Sequence, residues 1–332
     1  MSNNFLSSIK EEIFRINSQE SFVEPAIRIF QYQAEKCEPY RRYLELLDCD
    51  PLRVRKIEDI PFLPIQLFKT EKIYCGDSEA EMIFTSSSTT GMTPSRHYVA
   101  DLSLYEKSFT EGFRLQYGDV SQYAILALLP SYLERTGSSL IYMADSLMRQ
   151  SGNESNGYYL YNHGELYEML ETMKKEGQKT ILIGVSFALL DFVANHECIF
   201  PSLILIETGG MKGRGIELSR DDIHSHLKKA FGVENVHSEY GMAELLSQAY
   251  SSGAGIFSTP PWMKVIIRDL NNPFRKIPEG TPGGINIIDL ANAGSCSFIE
   301  TQDLGTKTAG DHFKILGRIK DSELRGCNLL IG

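Results

Sequence analysis

The middle third of the chain alternates short apolar runs with amphipathic stretches, and this pattern constrains the fold more than any other feature. Tyr123–Leu129 (YAILALL) is an apolar run closed by Pro130, as expected of a buried strand. Glu165–Glu176 (ELYEMLETMKKE) is amphipathic at helical spacing and stops at Gly177. Thr180–Ser186 (TILIGVS) predicts a strand, Phe187–Asn195 a helix, and Leu203–Glu207 (LILIE) a further strand ending in Thr208-Gly209-Gly210. Ser219 predicts the N-cap of a helix running to Phe231. Asp221 and Asp222 fall in its first turn, where the helix dipole favours carboxylates. Gly232 ends that helix, and Asn235–His237 begins the next strand. Alternation of this kind with short connections builds parallel α/β units. Such sheets take ligands just beyond the carboxyl ends of their strands. The loops after Ile206 and His237 are therefore where chemistry is expected.

The flanks read differently. Phe5, Ile9, Ile13 and Ile16 recur at helical spacing, and residues 22–47 continue in that style around Phe22, Ile29, Tyr32 and Tyr43, so the N-terminus predicts helical packing elements. Beyond residue 257, Met263–Arg268 and Gly284–Leu290 read as strands punctuated by Pro273, Pro278, Gly280, Pro282 and Gly283, which predicts a smaller, mostly antiparallel β subdomain. The expected division is an α/β core with a helical N-terminus over 1–256, a β-rich part over 257–320, and a mobile tail over 321–332.

Bulk properties exclude several classes. A net charge of -10 opposes a nucleic-acid partner, whose binders carry basic surfaces. The six cysteines, Cys37, Cys49, Cys75, Cys198, Cys296 and Cys327, form no CxxC pair and no metal spacing, which suggests reduced thiols. The N-terminal stretch lacks the apolar core of a signal peptide. The run Ala124–Leu129 is far short of the ~20 residues that a membrane helix needs. A soluble, cytoplasmic protein without a membrane span is expected.

Four segments carry candidate chemistry. Phe84–Arg96 (FTSSSTTGMTPSR) holds an unbroken hydroxyl run ending in Ser86, Ser87, Ser88, Thr89 and Thr90, followed by Gly91. Such side chains compete with the backbone for hydrogen bonds, so this is a loop. It suits phosphate oxygens, with Gly91 allowing close approach, and it equally suits a plain surface turn. It lacks the order of a Walker A loop. His237–Gln248 (HSEYGMAELLSQ) follows a predicted strand and sets Tyr240 and Gly241 where an adenine can stack, and Glu244 where Mg²⁺ can be held; a structural tyrosine is the alternative. Asp303, in TQDLG, suits ribose hydroxyls or a turn. Arg318 and Lys320, in LGRIKD, suit phosphate or ribose oxygens or a solvated surface.

The order and spacing of these segments resemble the adenylate-forming acyl ligase superfamily, from about residue 84 to the end. The resemblance implies an α/β fold with parallel sheets and a smaller β subdomain. It also implies Ser86–Thr90 and Gly91 for triphosphate, Tyr240 and Gly241 for adenine, Glu244 for Mg²⁺, Asp303 and Arg318 for ribose, and Lys320 at a hinge. Four strings, PSYLERTGSSLIYM (Pro130–Met143), ETGGMKGRG (Glu207–Gly215), HSEYGMAELLSQAY (His237–Tyr250) and RGCNLL (Arg325–Leu330), are similar to the LuxE-like acyl-protein synthetases. That family implies ATP-dependent activation of a fatty acid as an acyl-adenylate, transfer to a cysteine near the enzyme's own C-terminus, and delivery to a partner acyl reductase.

Two departures from the superfamily stand out. Ala243 replaces the usual Thr before the Mg²⁺ glutamate, and the sequence stops twelve residues after Lys320, where most acyl ligases continue into a mobile domain with a catalytic lysine. Lys212 and Arg214, with Arg135 and His97, are the candidate cations in its place. Cys327, beside Arg325 and Gly326, is the candidate acyl acceptor, because a nearby guanidinium favours the thiolate. Cys296 is its rival. Phe187, Leu189, Leu190 and Phe192 are candidates for an apolar acyl pocket or for ordinary core. The alternatives are an acyl- or aryl-CoA ligase of the phenylacetate type and a non-catalytic nucleotide-binding partner subunit.

Overall fold

The computed structural model describes residues 2–76, 78–87, 93–130, 136–209, 218–272, 275, 277–308 and 310–319. Contacts divide the chain into two compact units, one of Met1–Ser108, Met242–Ser247 and Ser258–Gly332, the other of Phe109–Gly241 and Gln248–Phe257.

The first unit opens with α1 (Ser2–Ile13), α2 (Gln19–Lys36) and α3 (Glu38–Leu46). Ser18 caps α2 through a reciprocal box with Ser21, and Pro39 sits in the first turn of α3, where a missing N–H costs nothing. Ile9, Ile13, Phe22, Ile29 and Phe30 are fully buried, the core role expected of the N-terminal helices. Then come β1 (Leu63–Pro64), α4 (Leu67–Thr70), an antiparallel hairpin of β2 (Met82–Thr85) and β3 (Arg96–Val99), and α5 (Leu102–Tyr117), within which the chain passes to the second unit.

The second unit is the α/β alternation read from the sequence. It runs β4 (Ala124–Leu128), α6 (Ser139–Ser151), β5 (Gly157–Tyr158), α7 (His163–Glu176), β6 (Thr180–Val185), α8 (Ser186–Val193), β7 (Ile204–Thr208), α9 (Arg220–Phe231), β8 (His237–Tyr240), β9 (Ala249–Ser251) and β10 (Ile256–Phe257). The sheet order is β5-β4-β6-β7-β8-β9, parallel throughout except for the β8–β9 pair. Ser219 caps α9 by accepting from the Asp222 N–H, and Gly232 closes it in the left-handed conformation, as the residues predict. Leu126, Leu182 and Leu205 from the strands meet Leu170, Leu189, Phe192, Leu227 and Phe231 from the helices in a dry core. Gly184 lets α8 close on the sheet: a Cβ there would lie 2.9 Å from side-chain carbons of Leu128 and Leu189.

Beyond the second unit the chain returns to the first as β11 (Met263–Arg268), β12 (Gly283–Asp289), β13 (Phe298–Lys307) and β14 (Phe313–Arg318). These strands pair antiparallel in the order β14-β13-β12-β11, and β1 joins β13 in parallel at Leu63↔Ile299. The β-rich character expected beyond residue 257 is present. The mixed α/β architecture expected from the sequence is the one observed.

Candidate functional site

In the first unit, the β13–β14 register sets Asp303 opposite Arg318. The Arg318 Nε lies 3.3 Å from Asp303 Oδ1, with the Asp303 side chain nearly buried and Arg318 73% exposed. The two residues that the resemblance implies for ribose thus form one acidic–basic couple presented at a strand pair. Ser86 closes the neck of the β2–β3 hairpin: its Oγ accepts from the Ser95 N–H at 3.0 Å, and its own N–H donates to the Ser95 carbonyl. Ser87 is exposed. The buried Ser95 hydroxyl has no hydrogen-bond partner among the described residues. Ser88, Thr89, Thr90 and Gly91 lie outside the described residues, as do Lys212, Arg214, Arg135, Lys320 and Cys327.

Glu244 belongs to this unit and is 7% exposed. Its segment is held by side chains far away in sequence. Asn292 Nδ2 donates to the Glu244 carbonyl at 2.8 Å and to the Cys296 carbonyl at 2.9 Å. Asp289, at the end of β12, accepts from the N–H groups of Leu246 and Ser247 and from the Ser247 hydroxyl. Burial pushes its carboxyl up to about 6, against the pull of these bonds. The Trp262 indole N–H donates to the hydroxyls of Ser108 and Ser247.

His97 is no cation. It is fully buried on β3, and burial pushes its imidazole down to about 4. With both Asn292 amide protons engaged, Asn292 Oδ1 accepts from His97 Nε2 at 2.8 Å, and Nδ1 faces the Ala243 carbonyl at the same distance. The ring is thus set between the Asn292 side chain and the backbone of residue 243. The sequence offered His97 as a cation for adenylation; the structure makes it an orienting group instead.

In the second unit, Tyr240 ends β8, and its ring meets Phe257 edge-on at 6.0 Å. Gly241 follows; a Cβ there would lie 2.5 Å from Glu239 Oε1, so the bare backbone makes room for that carboxyl. The carboxyl ends of β6, β7 and β8 carry a polar cluster, buried except for a half-buried Glu239, that the sequence reading passed over. The Ser186 hydroxyl bonds Glu207, Thr208 donates to Glu239 Oε2, and the imidazole of His224 stands 3.9 Å from Glu207. Burial pushes Glu239 up to about 7, opposed by the Thr208 hydroxyl and reinforced by Glu207. The only sequence signal for these residues was polarity at strand ends. Of the candidate acyl-pocket residues, Leu189 and Phe192 are fully buried core, with Phe187 and Leu190 packed against it.

The described cysteines divide cleanly. Cys37, Cys75, Cys198 and Cys296 are buried, and Cys49 is partly exposed. Cys296 donates to the Phe298 carbonyl, and burial holds its thiol well above the usual range. Burial also raises Cys49, Cys75 and Cys198. The neighbouring Cys75 thiol lowers Cys37, but Cys37 has no exposed surface.

Solved structures define the class. A 2-hydroxyisobutyryl-CoA ligase in an open conformation, in complex with 2-HIB-AMP and CoA, superposes with a TM-score of 0.67 at 15% identity, over 91% of this chain and 70% of that one. The same ligase in its postadenylation state with R3-HIB-AMP gives 0.68 at 14% identity, over 90% and 67%. ATP-bound MatB from Rhodopseudomonas palustris gives 0.54 at 15% identity over 72% of this chain; the match spans about half of MatB, 48%. The fold is that of the adenylate-forming ligases. The chain belongs to the family described as acyl-protein synthetase, LuxE, whose profile matches residues 10–108 and 161–332. No curated protein matches the sequence. No helix among the described residues is long and apolar enough to cross a membrane.

Proposed function

We propose that this protein activates a carboxylic acid, a fatty acid in the reading favoured by its family, with MgATP as an acyl-adenylate. The acyl group then passes to Cys327 for delivery to a partner acyl reductase. The observation that carries the nucleotide half is the cross-strand couple of Asp303 and Arg318, residues distant in sequence and brought to 3.3 Å by register alone. Asp303 is suited to accept from ribose hydroxyls, with the Arg318 guanidinium 3.3 Å away to fix its position. Tyr240 and Gly241 serve the adenine, and Ser86–Thr90 with Gly91 the triphosphate. Lys320 marks the hinge position, and Lys212 and Arg214 are the cations assigned to the developing charge.

The donor set suits Mg²⁺ brought in by the nucleotide rather than a resident metal. Among the described residues no group of three or more His, Cys, Asp or Glu side chains can hold an ion, and Glu244 offers a single carboxylate. Mg²⁺ is commonly bound by one or two carboxylates plus phosphate oxygens. Bound there, it would neutralise charge on those oxygens.

In the first step a substrate carboxylate oxygen attacks the α-phosphorus, the bond to the β-phosphate oxygen breaks, and pyrophosphate leaves. The chain's contribution is positioning and electrostatics. In the second, the Cys327 thiolate attacks the acyl carbon, the mixed-anhydride C–O bond breaks, and AMP leaves; the thiol proton goes to solvent. The described thiols support Cys327 by contrast, being buried or held in the thiol form. On this reading 1–256 serves as the adenylating core, 257–320 as its β-rich part, and 321–332 as the acyl-carrying tail.

The test is incubation with MgATP and labelled C8–C18 fatty acids without CoA. Hydroxylamine-sensitive label on the protein, lost in Cys327→Ser while pyrophosphate release persists, is the expected result. Product formed only on adding CoA would support the CoA-ligase alternative, and nucleotide binding without pyrophosphate release the non-catalytic one.

A further inference from the structure

The segment Met242–Ser247 belongs to the first unit, and among the described residues its backbone is bonded by side chains that the proposed chemistry does not use. Asn292 donates to the Glu244 carbonyl at 2.8 Å, and Asp289 accepts from the Leu246 and Ser247 N–H groups at 2.8 and 2.9 Å. Within the segment the Leu245 N–H donates to the Met242 carbonyl at 3.2 Å. Asn292 is in turn oriented from both sides. Its two amide protons go to the Glu244 and Cys296 carbonyls, which fixes Oδ1 toward His97, and the His97 Nε2–H donates to it at 2.8 Å. His97 and Asn292 are fully buried, so neither amide nor ring has water as an alternative partner.

We infer that His97, Asn292 and Asp289 are positioning residues for the Glu244 carboxylate, a relay that runs from β3 through the end of β12 to the backbone of the metal-binding glutamate. The inference rests on the reading of Glu244 as the Mg²⁺ ligand. Its physical basis is that a single carboxylate binding a hard cation depends on where its backbone holds it. Partners one bond removed from a metal ligand commonly change metal affinity by roughly 10- to 100-fold when removed. His97 also lies 2.8 Å from the Ala243 carbonyl through Nδ1, so it meets the segment directly as well as through Asn292. Ala243 fits the same scheme. With no hydroxyl at that position, the segment has no hydrogen-bonding side chain between Met242 and Glu244, and its geometry is imposed from outside.

The experiment titrates Mn²⁺ into the full-length protein with the non-cleavable α,β-methylene analogue of ATP, reading bound metal by electron paramagnetic resonance. Thermal unfolding and analogue binding without metal are followed alongside. Asn292→Asp keeps the acceptor facing His97 and loses both donors, and His97→Phe removes the orienting proton. Each is expected to weaken Mn²⁺ binding by about tenfold or more, with metal-free analogue affinity unchanged within twofold. His97→Gln, which restores an N–H donor, recovers most of the loss. Ser247→Ala removes a side-chain bond to Asp289 but leaves both backbone bonds, and is expected to lower the melting temperature with Mn²⁺ affinity kept within twofold. Should Asn292→Asp fail to fold, His97→Phe and its recovery in His97→Gln keep the test decisive. Mn²⁺ affinity lost in Glu244→Ala but unchanged in Asn292→Asp and His97→Phe overturns the relay while leaving the metal reading intact. Mn²⁺ affinity unchanged in Glu244→Ala overturns the metal reading itself, and the relay's role with it.

Discussion

Replacing Asp303 by Asn separates a structural ion pair from a substrate contact. As a structural element, the Asp303–Arg318 pair is worth little: the guanidinium is 73% exposed, and such surface pairs contribute ~0.2–1 kcal/mol. For a chain of this size that corresponds to a melting shift of no more than about 3 °C. As an acceptor for ribose hydroxyls the same carboxylate makes charge-assisted bonds, typically ~1.5–3 kcal/mol each, which converts to roughly 10- to 150-fold in affinity. Asp303→Asn keeps the shape, so the two accounts give opposite patterns. We expect KM for ATP in acid-dependent ATP–pyrophosphate exchange to rise roughly 10- to 150-fold, with KM for the carboxylic acid within about twofold and the melting temperature within about 3 °C. Arg318→Gln is expected to raise KM for ATP in the same direction by less, since Arg318 acts partly by orienting the Asp303 carboxylate. A KM for ATP unchanged in Asp303→Asn refutes the reasoning whatever the melting temperature, and makes the couple a strand-pair ion bridge only.

Other predictions follow from the packing and the buried charges. Phe192→Ala should cost about 3–5 kcal/mol in urea unfolding, because the ring is fully buried in the α/β core, and should leave acyl-chain-length preference unaltered; a changed preference would return Phe192 to the substrate pocket. Glu239 sits near 7 against an ordinary 4.5. The folded protein therefore keeps a proton that the unfolded chain gives up, and this contribution to stability is complete below pH ~4.5 and lost as pH rises through ~7. Glu239→Gln should remove that slope and gain stability at pH 8, which pH-resolved chemical denaturation reads directly. In the native state N-ethylmaleimide should leave Cys37, Cys75, Cys198 and Cys296 unmodified and reach Cys49 slowly, as peptide mass spectrometry will show; rapid modification of Cys296 would contradict its burial.

Much of the second unit is legible because its information is local. YAILALL, TILIGVS and LILIE are runs that only a sheet buried on both faces explains, and Ser219 and Gly232 mark the ends of one helix by backbone chemistry alone. The Leu189 and Phe192 positions were ambiguous for the same reason: a buried helix and an apolar pocket share a composition. What stayed hidden depends on distance. Nothing around His97, Asp289 or Asn292 announces that they meet the backbone of residues 243–247, because a single polar residue in an apolar run has no period. The polar cluster of Ser186, Glu207, Thr208, His224 and Glu239 was hidden likewise, since its members come from separate strands and helices that converge only in the folded sheet. The Asp303–Arg318 couple was reached through order and spacing of motifs rather than through any local rule, and the strand register supplies its physical cause.

The central claim is that an acyl group activated by ATP comes to rest on Cys327. The most direct measurement is intact-protein mass spectrometry after incubation with MgATP and a saturated fatty acid, without CoA or reductase. The account predicts a mass gain equal to one fatty acid less one water, reversed by hydroxylamine, mapped to Cys327, and absent from Cys327→Ser even as that variant continues to release pyrophosphate. An acyl adduct mapped to any of the five other cysteines, or pyrophosphate release with no adduct in the unmodified protein, would contradict it.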